Sequence, residues 1–331
     1  MNAKSGLEKS LFYFEINKFI TMKIHNKYIS NGLRIIIGLV FVASAILKYI
    51  SVDIFDLYVF EHNLFSVSIT ETLTRVLITV ELVLGILLIF NIYARFVYYS
   101  VLVVLAGFTL YLLILPYFFD VDITNCHCFG SAIVLSRWES IGKNVILLFF
   151  LIFVSPKFST YKKWHTWVTI ALGVVTLIVS MVINAPNYLY TLVHKDKIEV
   201  NIPMYESALV NSGKEAEFTD GKQIICMYSA GCPYCKRAAL KLHLILKNNQ
   251  LPEDQVKAIF WSGTPDSVIH NFFAEQKIPV LEYATFRVDS FLNITAGSMP
   301  VLLFSDNGTI VQRANYISLN EKEVSEFLKC E

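Results

Sequence analysis

A chain of 331 residues with 55% hydrophobic and 17% charged residues, and a mean hydropathy of +0.52, cannot hide its apolar surface in one soluble core. A membrane portion is therefore expected, and the length fits more than one domain. A formal net charge of +1, with no basic stripe interleaved with aromatics, excludes a nucleic-acid footprint, so no nucleic-acid partner is expected.

Residues 1–30 carry Lys4, Lys9, Lys18, Lys23 and Lys27 and no long apolar core, so they read as a cytoplasmic segment rather than a signal peptide. Targeting then falls to the first membrane span. Five apolar stretches follow, read against the ~20 residues a bilayer needs. They are Leu33–Ile50, Leu73–Phe90, Phe96–Leu115, Ile141–Val154 and Trp167–Ile183. The fourth has a short core and reaches spanning length only by including Arg137–Asn144. Trp164 and Trp167 sit as interfacial anchors of the last.

Basic residues set the orientation. The Lys-rich start with Arg34, the loop with Arg95, and the loop with Lys157, Lys162 and Lys163 alternate as cytoplasmic. The intervening loops are acidic, with Asp53, Asp56, Glu61 and Glu71 in one and Asp120 and Asp122 in the other. Five spans then place everything after about Asn184 outside the cytoplasm, on the same side as the loop that carries Cys126.

From about Ile198 the composition becomes that of a soluble α/β domain. Gln223–Tyr228 reads as a buried strand, Cys232–Leu246 as a helix, Val256–Trp261 as a strand and Asp266–Glu275 as a helix. Val301–Phe304 and Thr309–Arg313 are strands joined through Asp306-Asn307-Gly308, a strong hairpin signal. Leu319–Leu328 closes the chain as a helix, with Asn320 as its cap. No internal repeat or low-complexity tract interrupts this order.

The six cysteines are Cys126, Cys128, Cys226, Cys232, Cys235 and Cys330. Four of them form two close pairs, a pattern of redox or metal chemistry rather than of a stapling framework. SAGCPYCKR follows a strand and opens a helix, where free N–H groups and the dipole favour a thiolate at Cys232. Cys232 is then the nucleophile and Cys235 the resolving thiol, with Pro233 suited to the first turn. Half a zinc site is the bland alternative, but no second ligand pair follows at suitable spacing, and no metal is expected there.

TNCHCFG, at Thr124–Gly130, supplies the second pair. Cys126 and Cys128 read as a redox disulfide, with two alternatives open: a soft-metal site that includes His127, or small buried residues in a turn. Charges within the spans are expensive in lipid. Glu81 lies mid-span, and Lys48, Arg75, Arg137, Glu139 and Lys143 lie near the outer ends. Glu81, Lys48, Arg75 and Lys143 form either a proton relay or polar quinone pocket beneath the cysteines, or a structural ion pair of Glu81 with Lys48 or Lys143. Cys226, in a core strand, reads as inert; Cys330 has no assigned role.

QIICMYSAGCPYCK, the later SMPVLLF, and the closing hairpin and helix resemble the thioredoxin-like family over Ile198–Glu331. That resemblance implies a cis-proline facing the active-site cysteines, which falls on Pro300, after Met299. The membrane half resembles the MauE-like family within the wider DoxX-like group, over Asn31–Ser155. Arg34, Gly38, Phe41, Ser44 and Lys48, then Glu81 in LITVELVLGILL, then CHCFG carry the match. The whole arrangement is similar to bacterial vitamin K epoxide reductase homologues, in which a membrane bundle oxidises a fused thioredoxin-like domain and passes electrons to quinone. Those proteins use two cysteine pairs in the membrane part, whereas this chain has Cys126 and Cys128 alone.

The expected architecture is therefore a cytoplasmic segment at 1–30, a four-helix membrane domain at 31–155, a fifth transmembrane helix and connector at 156–195, and an extracytoplasmic thioredoxin-like α/β domain at 196–331. The expected function is that of a thiol–disulfide oxidoreductase of a bacterial inner membrane. Its partners are extracytoplasmic client proteins with cysteines, membrane lipid and quinone, with quinone as the cofactor. Oxidation is the favoured direction, because no cysteine lies in the cytoplasmic loops to feed a reductive relay. A reductive relay and a thiol-based metal handler are the alternatives.

Overall fold

Segments placed in lipid must satisfy their own backbone hydrogen bonds, and the apolar stretches of the N-terminal half do so as helices. The computed structural model describes residues 27–118, 126–131, 133–154, 163–193 and 198–329. Its first part comprises α1 (Lys27–Ile50), α2 (Val52–Phe60), α3 (Val67–Phe90) and α4 (Ala94–Phe118), then α5 (Arg137–Phe153), α6 (Lys163–Ile183) and α7 (Asn187–Val193). Strands β1 (Cys126–Ser131) and β2 (Ile133–Leu135) form an antiparallel hairpin between α4 and α5. The segment expected to be a bare loop around the first cysteine pair is thus a paired strand from Cys126 onward.

Among the described residues, four helices are long and apolar enough to cross a membrane: Tyr28–Ile50, Val67–Phe90, Ala94–Ile114 and Trp164–Ile183. The predicted span at Ile141–Val154 belongs to α5, whose 17 residues rise about 25 Å, short of the ~30 Å hydrocarbon layer. The start of α5 is fixed by a capping box. Glu139 N–H donates to Ser136 Oγ at 3.3 Å, and Ser136 N–H donates to Glu139 Oε2 at 2.7 Å. Glu139, grouped on sequence with the in-span charges, is instead this cap.

The chain divides into two compact units: one from the chain up to Phe55 with Leu73–Asn184, the other from Asp56–Thr72 with everything from Ala185 on. In the membrane unit, α1, α3, α4 and α5 share one apolar core, built around Ile37 and Phe41, Leu84 and Leu88, Val97 and Val101, and Leu147 and Leu151. Two glycines let α1 and α3 touch backbone to backbone. A Cβ at Gly38 would lie 2.9 Å from Gly85 O, and a Cβ at Gly85 would lie 2.9 Å from Gly38 O. Arg34 Nη1 donates to Leu88 O at 3.0 Å, tying the same two helices together. α6 adds nothing to this core and is held by hydrogen bonds, from Tyr49 Oη to Val179 O and from Asn184 Nδ2 to Tyr49 O.

The second unit is an α/β sandwich. It comprises α8 (Ile202–Ser212), α9 (Glu215–Thr219), β3 (Lys222–Met227), α10 (Pro233–Asn249), β4 (Val256–Trp261), α11 (Asp266–Glu275), β5 (Glu282–Phe286), α12 (Val288–Thr295), β6 (Val301–Asp306), β7 (Thr309–Ala314) and α13 (Glu321–Lys329). The sheet order is β5-β4-β3-β6-β7, with β3, β4 and β5 parallel and β6 and β7 antiparallel. β3 is buried on both faces, which explains its unbroken apolar run. Ile224, Cys226 and the following Tyr228 pack against α10, α11 and α13, while Ile225 and Met227 pack against α8, α9 and α12. Asn307 and Gly308 both have positive φ, the geometry the Asp-Asn-Gly turn predicts. Asn320 Oδ1 accepts from Lys322 N–H at 2.9 Å and caps α13 as predicted.

The sequence-contiguous boundary expected at 196 is not the structural one. Asp56–Thr72, between the first and second spans, is part of the α/β unit. Leu57 and Phe60 join its core, Asn248 Nδ2 donates to Phe60 O at 3.2 Å, and Val67 N–H donates to Glu321 Oε2 at 2.9 Å.

Candidate redox site

Strand β3 ends at Met227 and α10 begins at Pro233, so the intervening turn delivers Cys232 to the helix N-cap. With φ −84° and ψ 118°, Cys232 leaves the first N–H groups of α10 unpaired by the helix, and its Sγ accepts from Cys235 N–H at 3.3 Å. Helix-end N–H groups stabilise negative charge on such a sulfur. Cys235 is 0% exposed, and its Sγ accepts from Ser229 N–H at 3.4 Å. Burial pushes the Cys235 thiol far above its usual value, and the Ser229 N–H only partly offsets this. Both cysteines are free thiols, Cys232 half-buried and Cys235 enclosed.

The Met299–Pro300 peptide bond is cis, and Cys232 Sγ points to Met299 O at 4.0 Å. Pro300 is thereby placed beside the cysteine pair. Tyr234 is exposed, its ring 6.1 Å from that of Tyr316 and beneath the Arg237 guanidinium. Cys226 is fully enclosed, with its thiol pushed up to about 12 by burial, as befits an inert core thiol.

The second pair lies in the membrane unit. Cys128, 2% exposed, is disulfide-bonded. The side chains of Cys126 and His127 lie outside the described residues, and so does Cys330. Strand β1 is pressed onto α1, and the positive φ of Gly130 (+62°) is what lets it approach, since a Cβ there would sit 2.5 Å from Leu47 O. Ser44 Oγ donates to Cys128 O at 2.7 Å. Lys48 Nζ donates to Ser44 Oγ at 3.2 Å and pairs with Glu81 Oε2 at 2.6 Å. Lys143 Nζ lies 4.5 Å from the centre of the Phe129 ring and within electrostatic reach of Lys48 and Glu81.

Lys48, Glu81 and Lys143 therefore gather beside Cys128. Arg75 takes another place: buried, it donates from Nε to Asn184 O at 3.2 Å and from Nη1 to Thr74 Oγ1 at 3.0 Å, securing the end of α6. Arg137 covers the Trp138 ring at 4.9 Å. Two buried polar residues on α5 went unremarked in the sequence. Ser140 Oγ is 3.4 Å from Cys128 Sγ, and Asn144, one turn on, is 1% exposed. Their signal was available, as polar residues four apart on the inner face of an otherwise apolar helix. Among the described residues, no three His, Cys, Asp or Glu side chains gather as a metal site would need.

A membrane helical domain bearing a cysteine hairpin, followed by an α/β domain with Cys-Pro-Tyr-Cys at a helix start, defines a membrane protein of the thiol–disulfide oxidoreductase class. Residues 26–157 match the model of the methylamine utilisation protein MauE family. The chain as a whole is similar to Protein TlpB of Flavobacterium psychrophilum, 26% identical over 351 residues, covering 90% of this chain and 94% of the relative. Residues 26–157 are thus similar to the MauE family, and behind them stands a thioredoxin-like α/β region.

Proposed function

We propose that this protein oxidises cysteine pairs of client proteins outside the cytoplasm and passes the electrons to quinone in a bacterial inner membrane. A client thiolate attacks the Cys232–Cys235 disulfide at Cys232; a second client thiolate resolves the mixed disulfide, leaving the client oxidised and Cys232 and Cys235 reduced. Cys232 then attacks the disulfide of the Cys126/Cys128 hairpin, and Cys235 resolves that intermediate. The observation that carries this reading is the contrast between a half-buried free thiol at the start of α10 and a disulfide-bonded Cys128 set in a polar, charged niche.

The niche fits a quinone. Asn144 Nδ2 is buried with no hydrogen-bond partner among the described residues, which leaves a donor for a carbonyl oxygen. Lys48 and Lys143 would hold the reduced form's developing negative charge, and Glu81 would hold or deliver a proton through Lys48. Quinone, when bound, supplies a two-electron acceptor that takes up two protons. The basic segments around Arg34, Arg95 and Lys162 support an outward-facing thioredoxin-like region, with α5 counted as a short span.

Trapping tests the exchange. In Cys235→Ser protein, with resolution blocked, a Cys232 mixed disulfide with the membrane pair should accumulate. Protease cleavage between residues 184 and 198 should then leave one species without reductant and two with it. If cleavage always separates the halves, the relay does not run through these cysteines.

A further inference from the structure

Cys128 enters the exchange as one end of a disulfide, and breaking that bond by thiol attack leaves a negative charge on one of its two sulfurs. The Cys128 end is set among apolar side chains. It packs with the fully buried Leu112, and Phe108, Tyr111, Phe129 and Ile141 pack around the two. A thiolate is costly in such surroundings unless a hydrogen-bond donor meets it. With Cys128 itself 2% exposed, its sulfur is also shielded from an incoming protein thiolate.

A donor is in place. Ser140 is fully buried on the first turn of α5, and its Oγ lies 3.4 Å from Cys128 Sγ. A disulfide sulfur carries no hydrogen, so the hydroxyl is the donor. The Ser140 backbone N–H is taken by the helix, donating to Ser136 O at 3.0 Å. Among the described residues, the Ser140 hydroxyl has the Cys128 sulfur as its hydrogen-bond partner and no other. The cations of the niche are directed elsewhere: Lys48 Nζ to Ser44 Oγ and Glu81 Oε2, and Lys143 Nζ to the Phe129 ring. Ser44 in turn holds the backbone oxygen of Cys128, not its sulfur.

We propose that Cys128 is the leaving sulfur of the membrane disulfide and that Ser140 is the catalytic residue whose hydroxyl holds its charge. The incoming thiolate of Cys232 attacks the Cys126 sulfur. The Cys232–Cys126 bond forms, the Cys126–Cys128 bond breaks, and its electron pair leaves on Cys128, where the Ser140 hydroxyl donates to the new thiolate. Cys235 then attacks Cys232, the Cys232–Cys235 bond forms, and Cys126 leaves as the second thiolate. Two electrons have passed to the membrane pair. The inference deepens the proposed exchange and rests on its Cys126–Cys128 disulfide; it is independent of quinone.

The test uses the full chain in detergent, oxidised, with Cys232→Ser, Cys235→Ser and Cys330→Ser, and glutathione as the attacking thiol. Because glutathione stands in for Cys232, failure of the relay between the two cysteine pairs and failure of this assignment are separate results. After acid quench and alkylation, peptide mass mapping should place glutathione on Cys126 and the alkyl group on Cys128. Ser140→Ala should form this adduct about tenfold more slowly, the effect of one lost hydrogen bond to a charged group. Ser140→Thr, which keeps a hydroxyl, should restore most of the rate. Glutathione mapped to Cys128 overturns the leaving-group assignment. A wild-type rate in Ser140→Ala, or equal slowing by Ala and Thr, overturns the role of the hydroxyl. If Ser140→Thr fails to fold, the reduction potential of the pair in a glutathione buffer decides: Ser140→Ala should lower it by about 30 mV, the equivalent of tenfold in the exchange equilibrium, and an unchanged potential overturns the role.

Discussion

The two active-site thiols differ by burial, and burial has a thermodynamic consequence as well as a chemical one. The Cys235 thiol titrates far above its usual value near 9 because the folded protein cannot solvate the thiolate, whereas the unfolded chain can. A raised acid contributes stability that is fully present below the unfolded value and lost as pH rises through it toward the folded one. The reduced protein should therefore lose about 1 kcal/mol more than its Cys235→Ala variant between about pH 8 and about pH 10. Thermal melts of the two across that window check it, and parallel curves would refute the burial argument. Cys232 and Cys235 were legible in the sequence because a strand, a turn and a helix start are local features.

Among the elements, the long helices and the central strands were legible because their apolar periodicity is strong. β5 was missed: EYATF has five residues, lies at the sheet edge and is half polar, so its burial depends on neighbours rather than on its own pattern. The hairpin of β1 and β2 was missed for a related reason, because its ladder is short and its anchor is a glycine packed on another helix. That anchor can be tested. In Gly130→Ala the new Cβ would meet Ser51 Oγ at 2.2 Å and Leu47 O at 2.5 Å, at a φ of +62°. The strand must lift from α1 at a cost of about 1–3 kcal/mol, carrying Cys128 away from Ser44 and Lys48. Quinone-dependent turnover should fall by about tenfold or more, while alkylation of Cys232 keeps its wild-type rate. Unchanged turnover would show that the hairpin's seat is not needed for exchange.

For the whole molecule, the sequence suggested two domains laid end to end, and the structure shows an interleaved chain. Local pattern could not reveal this, because Asp56–Thr72 reads as part of the acidic inter-span loop that carries Glu61 and Glu71, and nothing within it shows where Leu57 and Phe60 pack. Their partners lie far along the chain: Glu71 accepts from Asn187 N–H at 2.9 Å and from Asn187 Nδ2 at 2.7 Å, while Lys241, 2% exposed, lines the same small cavity as Asp56 and Glu71. Phe60→Ala should therefore destabilise the thioredoxin-like unit by about 3–5 kcal/mol, the usual cost of emptying an aromatic core position. Limited proteolysis of residues 198–329 against temperature measures it. A wild-type profile would mean that the segment merely rests on the sheet domain.

Interleaving also imposes an order on synthesis. Asp56–Thr72 leaves the ribosome some 250 residues before the last helix that it packs against, an interval of about 10–50 s at ordinary elongation rates. Throughout that time Leu57 and Phe60 have no core to enter, and the membrane helices on either side of them must already be inserted. The newborn chain thus displays an apolar knob on a tethered loop, awaiting a domain not yet made. A chain that stalls within the thioredoxin-like region would keep that knob uncovered, giving quality control a mark of incompleteness written in the first loop rather than at the broken end.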